Sequence, residues 1–259
     1  MEAILPLLVP VFFVVGLVLE RVLPARKLPQ VKGWWLRGLI AFVVAGVLNG
    51  LLPMVVAAAV DGRSLLDLSG LGTLGGAMLA FVVGDIVGYW VHRAMHNVHF
   101  IWRWTHQMHH SAERVDVLGF SYFHPFDFVI TIVLGSLVPA LLGVTPAAAG
   151  LAGFVTFLYA VFQHLNVRTP RWLGYLIQRP ESHSVHHGRG VHAYNYGNFP
   201  LTDIVFGTFR NPAEFMPEAG FWHGASGKVA AMLLGRDVGQ PVAPLRHSPE
   251  GAFTPTAAE

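Results

Sequence analysis

Three histidine clusters carry most of the chemistry that this sequence could perform. His92 and His96 stand four residues apart; His106, His109 and His110 spell H-x-x-H-H; His183, His186 and His187 repeat that spacing. Neutral imidazole is a ligand for zinc, copper, iron and nickel. Residues four apart on a helix share a face, so His92 and His96 can converge on one ion. In H-x-x-H-H the i, i+3 pair is expected to face one metal, with the adjacent histidine turned about 100° away towards a second. One such motif suits two neighbouring ions better than one. An isolated histidine pair is more often a surface or core feature than a metal site. Three clusters with a repeated spacing point instead to a dimetal centre.

Asp85 and Tyr89 share the His92/His96 face, because offsets of 4, 7 and 11 residues return to nearly one angle on a helix. A carboxylate inside an apolar stretch is costly without a partner. Asp85 is therefore expected to hydrogen-bond a ligand imidazole and fix its tautomer, with Tyr89 beside it. The alternative is a carboxylate that binds only a neighbouring helix.

The elements that must position these residues are apolar. Of 259 residues, 53% are hydrophobic and 12% charged, with a mean hydropathy of +0.51, against about 25% charged in a soluble domain. The formal net charge of +2 gives no reason to expect a nucleic-acid partner. The absence of cysteine excludes disulfides, thiolate metal sites and cysteine nucleophiles. Five apolar stretches, at about 3–19, 38–60, 71–91, 128–144 and 146–163, are candidate membrane spans, which need roughly 17–25 residues to cross about 30 Å of hydrocarbon. The fourth and fifth, joined by almost nothing, would alternatively enter as a hairpin and return. The first lacks the basic start and small-residue cleavage site of a signal peptide and is read as retained.

Lys and Arg concentrate in 20–37, 92–127 and 164–259, whereas the other connections hold only Arg63. The positive-inside rule makes those three segments cytoplasmic. All 14 histidines lie in 92–127 or 164–259, so they can meet at one cytoplasm-facing site on the inner ends of spans three to five. Trp34, Trp35, Trp102 and Trp104 are expected in the interfacial belt. Gly70, Gly72, Gly75 and Gly76 suit close helix packing in lipid. The stretch after about Gly235, rich in Pro, Gly and Ala, is expected to hold little fixed structure.

The clusters resemble the eight-histidine signature of the fatty acid hydroxylase and sterol desaturase superfamily: His92-x-x-x-His96, His106-x-x-His109-His110 and His183-x-x-His186-His187. The likeness extends to the third-span run from Asp85 to His96, to Phe123-His124-Pro125, to His164 after the last span, and to Asn195-Tyr196-Gly197 with Asp203 and Phe206-Gly207-Thr208. It covers about 85–210, close to half the chain. The resemblance implies His164 as a ninth ligand and His124 as a tenth. Asp127 stands where the family usually has Glu, which leaves its role open. His99, His192, His223 and His247 match no motif position. His223 and His247 are read as solvated, and His192 is left open between a supporting role and none.

The resemblance further implies two non-haem iron ions, with zinc able to replace iron in purified protein, and O2-dependent hydroxylation or desaturation of a membrane lipid. No G-x-G-x-x-G follows a strand and no cysteine is available for an iron–sulfur cluster. An external electron donor, such as a ferredoxin or a cytochrome b5-like protein, is therefore expected. The rival readings are a metallohydrolase, disfavoured by the absence of H-E-x-x-H; a haem protein, which needs only axial histidines; and a metal-binding or metal-transport protein, whose ligands would lie nearer mid-membrane. The expected fold is all-α: an integral membrane bundle of four or five spans, in a bacterial inner membrane, with a cytoplasmic helical cap around the dimetal site. The expected organisation is N-terminal spans over 1–84, a catalytic domain over 85–210 and a partly disordered tail over 211–259.

Overall fold

Long apolar runs fold as helices in lipid because only a helix satisfies every backbone polar group within one segment. The computed structural model describes residues 4–239, and among them no strand forms; Gly188 and Ala219 make an isolated antiparallel bridge. In chain order the helices are α1 (Leu5–Val22), α2 (Trp34–Val60), α3 (Gly72–Asn97), α4 (His99–Trp104), α5 (Gln107–His110), α6 (Pro125–Leu142), α7 (Pro146–His164), α8 (Pro180–His186), α9 (Pro200–Val205) and α10 (Val229–Leu233).

Five of them, α1, α2, α3, α6 and α7, are long and apolar enough to cross a membrane. Their outer faces expose Val14, Leu39, Val43, Val47 and Met78, the inverse of a water-soluble surface. The chain is an integral membrane protein. The third apolar stretch ends near Val91, but α3 continues to Asn97 because nothing in that run breaks a helix. His92 and His96 thus ride on the projecting end of a span.

Within the bundle α3 packs on α7, α2 on α6, and α1 on α7. The α3–α7 contact is built of small residues, Ala77, Ala80, Ala148 and Ala152. A Cβ on Gly76 would come within 2.9 Å of the Ala148 Cβ, so the helices nearly touch there, as the glycine pattern anticipates. Gly143, at φ +64, closes α6, and the Thr145 hydroxyl accepts from the Ala148 N–H to start α7.

The histidine end is laced together by polar groups. Glu20, near the end of α1, accepts from the Val117 N–H at 3.0 Å and the Asn166 N–H at 2.8 Å. Trp34, opening α2, is buried and donates its indole N–H to Asp116 at 3.0 Å. This corrects the interfacial reading of Trp34: a buried indole needs an acceptor, and Asp116 supplies one. Trp102 is buried as well, whereas Trp35 is exposed. The stretch after Gly235 lies mostly outside the described residues, whereas 211–239 of the expected tail are described and include α10. Within them, Gln107 holds the chain at Arg236 O and Val238 N, both at 2.9 Å.

Candidate metal centre

The projecting end of α3 presents His92 and His96 one turn apart. α5 with its N-cap supplies His106, His109 and His110; α7 ends on His164; α8 and its C-cap supply His183, His186 and His187. These nine form two groups that could each hold a metal ion. His92, His96, His106, His110 and His186 make one; His109, His164, His183 and His187 make the other. Within each group the candidate ligand atoms all lie within 4.8 Å of one another.

The division corrects the expected reading of H-x-x-H-H. In both motifs the first and last histidines share a group and the middle one joins the other group. On a helix the i+4 position returns to about 40° from i, whereas i+3 falls about 60° to the opposite side. The two copies are complementary: α5 gives two ligand candidates to the larger group and one to the smaller, and α8 does the reverse. His110 and His187 stack with centroids 4.2 Å apart where the groups meet.

In the five-histidine group every outward nitrogen is engaged. His106 Nδ1 donates to Asp127 Oδ2 at 2.6 Å. His92, His96 and His186 donate from Nδ1 to the carbonyls of Tyr196, His192 and Tyr194, each at 2.8 Å. His110 Nδ1 lies 3.1 Å from His192 Nδ1. Fixing the proton on Nδ1 leaves each Nε2 lone pair for the interior. In the four-histidine group the Nε2 atoms of His109, His164, His183 and His187 form a chain with spacings of 3.2, 3.2 and 3.1 Å. There, among the described residues, a protein group holds the outward nitrogen of His164 alone, through Ala160 O at 2.7 Å. Phe123, from the Phe-His-Pro run, stacks on His109 at 4.0 Å.

Residues 192–196 form a strap whose carbonyls at 192, 194 and 196 face the larger group. His192, Tyr194 and Asn195 all have positive φ, at 42°, 69° and 49°, a conformation that non-glycine residues adopt at a cost. Asn195 holds the strap there, donating from Nδ2 to Ser182 O and Arg210 O and accepting the Arg210 N–H on Oδ1. Asp203 accepts the Tyr196 and Gly197 N–H groups, each at 2.9 Å.

Asp85 does not reach an imidazole. It accepts the Asn198 N–H at 2.7 Å and that of Phe199 at 3.4 Å, so it fixes the chain just beyond the strap; the carboxylate on a grouped imidazole is Asp127. Tyr89 accepts from Arg93 at 3.0 Å and meets the Thr208 hydroxyl at 3.0 Å, which ties α3 to the same segment. His124 falls outside both groups: its Nδ1 caps α6 by accepting the Phe126 N–H, and its Nε2 lies against Leu233 O. Helix capping takes the ring nitrogen that a metal would need. His192 is buried against Trp102 and Phe221 and belongs to neither group. His99 pairs with Asp237, His223 is exposed, and His247 lies outside the described residues.

Burial first, then neighbouring imidazoles, holds His109, His110, His183, His186 and His187 well below the usual histidine pKa. Burial lowers His192 to about 4 and raises Tyr196 to about 12. The rings are neutral at pH 7, the form that binds metal. Nε2 of His96, His110 and His186 is buried without a hydrogen-bond partner, a costly state for a polar atom. A cation accepting those lone pairs removes the cost. Neutral nitrogen donors in both groups fit divalent transition ions.

A family profile described as Fatty acid hydroxylase matches residues 77–208, about half of the chain, and takes in most of α3, all of α8 and all nine histidines. The ornithine lipid hydroxylase OlsE of Rhizobium tropici is 32% identical over 162 residues, which cover 61% of this chain and 47% of that protein. The very-long-chain aldehyde decarbonylase GL1-9 of Oryza sativa subsp. indica is 29% identical over 140 residues, covering 51% of this chain and 53% of its own. The chain spans about half the length of these curated relatives. No solved structure matches it. Signature histidines, apolar spans and profile agree, and the chain belongs to the fatty acid hydroxylase family.

Proposed function

We propose that the protein is a membrane-bound di-iron oxygenase that hydroxylates or desaturates a C–H position of a lipid, with O2 and an external electron donor. The observation that carries this reading is the pair of adjoining all-histidine groups at the end of an apolar helical bundle. Two irons, when bound, supply an oxidant strong enough for an unactivated C–H bond, which offers no polar handle of its own. The nine grouped histidines hold them, and Asp127 and the 192–196 carbonyls orient the rings of the larger group. The buried surroundings of the rings exclude water from the reacting carbon.

Hydroxylation places one oxygen atom in the C–H bond and reduces the other to water with two electrons and two protons. Desaturation removes two hydrogens from the lipid and, with two further electrons and two protons from outside, takes both oxygen atoms to water. Those electrons come from a ferredoxin or a cytochrome b5-like protein, since the chain has no cysteine for a cluster of its own. The Lys and Arg distribution supports a cytoplasm-facing centre, and the high usage of Ala, Gly, Val and Leu supports a bacterial inner membrane. Sterol, fatty acyl and ether lipids all meet the chemical requirement. The likeness to a protein named as an ornithine lipid hydroxylase makes an aminolipid the first substrate to supply.

The test is detergent-purified protein carrying iron, given O2, a reduced ferredoxin and a total lipid extract. A lipid that gains one oxygen or loses two hydrogens, absent with His109→Ala or His186→Ala, supports the reading. Metal-replete protein that leaves every lipid unchanged but moves metal across vesicles overturns it in favour of transport.

A further inference from the structure

The chain just after the strap runs along α3, and the contacts it makes set its depth. Asp85 receives the N–H groups of Asn198 and Phe199. The Phe199 ring packs on Phe81 and Tyr159 at 5.2 and 5.7 Å. Phe206 packs edge-on against Trp90 at 4.7 Å. From Phe81 to Trp90 is nine residues of helix, about 14 Å at 1.5 Å per residue, within the apolar stretch of a span. That is close to half of a hydrocarbon core about 30 Å thick.

Along the same course α9 turns its polar side inwards and its apolar side outwards. Thr202 and Asp203 are buried, whereas Leu201, Ile204, Val205 and Phe206 are exposed, Leu201 and Val205 each at 66%. The exposed row continues onto Val82, Ile86 and Trp90 of α3, which a membrane span presents to lipid. Between Phe199 and Phe209 the sequence holds one charge, Asp203. Its side chain is consumed by Tyr196, Gly197 and Thr208.

We propose that residues 199–206 are immersed in the bilayer, with Leu201, Ile204, Val205 and Phe206 against lipid acyl chains, and are not part of a water-exposed cap. Irregular backbone survives at membrane depth only where protein groups satisfy it. Here Asp85 takes the N–H groups of Asn198 and Phe199, and the Asp203 carbonyl takes those of Thr208 and Phe209. A second copy of the chain is the other occupant that could cover such a face. Continuity with the lipid-facing row of α3 favours acyl chains.

The chain has no cysteine, so one introduced cysteine carries a unique spin label. Full-length Leu201→Cys and Ile204→Cys proteins are labelled in phospholipid nanodiscs, and collisions with O2 and with a water-soluble nickel chelate are measured. Val43→Cys on the exposed face of α2 and Glu218→Cys on a polar loop serve as lipid and water references. Labels at 201 and 204 are expected to match Val43, open to O2 and shielded from nickel, with an O2-to-nickel ratio severalfold above Glu218. Nickel access equal to that at Glu218 overturns the proposal. Shielding from both reagents overturns it too, by placing protein over the face. Two positions guard against failure of either variant to fold.

Discussion

His106 Nδ1 and Asp127 Oδ2 lie 2.6 Å apart, and both side chains are almost completely buried. A carboxylate on the outer nitrogen keeps the proton there and raises the basicity of the inner one. Asp127→Ala is expected to weaken metal binding at the five-histidine group by about 10–100-fold. Asp127→Asn, whose amide oxygen still accepts, should fall between that and the parent. Chelator competition measures both, and unchanged affinity in Asp127→Ala would refute the role.

The two groups are anchored unequally. Among the described residues, protein groups engage all five outer nitrogens around His92, His96, His106, His110 and His186, but only one of four around His109, His164, His183 and His187. Metal should therefore leave stepwise under a chelator, the four-histidine group emptying first. His109→Ala should abolish the fast phase and His186→Ala the slow one. A single release phase for the parent protein would contradict the assignment.

Acid acts on the same rings. Burial holds His109, His110, His183, His186, His187 and His192 below their unfolded pKa of about 6.5. Between the two values the unfolded chain binds more protons, so stability rises with pH across that window. It is fully present above about 6.5 and is lost as pH falls towards the folded values, about 4 for His192. Metal release should share that direction, because protons and metal compete for the same nitrogens. Thermal midpoints of the metal-free protein at stepped pH are the check, and a midpoint that rises between pH 7 and 5 would contradict the linkage.

Gly197 sits between two carboxylates. A Cβ there would meet Phe199 O at 2.8 Å and the Oδ2 atoms of Asp85 and Asp203 at 3.3 Å. Gly197→Ala should cost roughly 1–3 kcal/mol, the usual range for overpacking. It should also loosen the larger group more than the smaller, because Tyr196 O holds His92 next door. Calorimetry and metal content per chain report the two effects, and an unshifted midpoint would show that the site has slack.

Much of this was legible from sequence. The three clusters and the five spans follow from residue type and spacing, because those signals are local, whereas His164 joins the candidate ligands only through the family resemblance. The partition of ligands was not, since it turns on whether i+3 or i+4 shares a face once α5 and α8 confront each other. Asp85 was misread because its partners, Asn198 and Phe199, lie more than a hundred residues away along the chain. The part played by the carbonyls of residues 192, 194 and 196 has no sequence signal, since every residue carries a carbonyl. The only hint was Asn195, a residue type that tolerates left-handed backbone.

The strap also sets an order of events during synthesis. When residue 182 has just been joined, the chain holds His92, His96, His106, His109, His110 and His164, and each group still lacks members. His186, and then the carbonyls of 192, 194 and 196, arrive only after the five described spans have been made. A nascent chain therefore cannot assemble either complete group while its membrane helices are still being threaded. Completion waits for the translated segment to fold back on α3, so the candidate metal centre is the last part of the molecule to close.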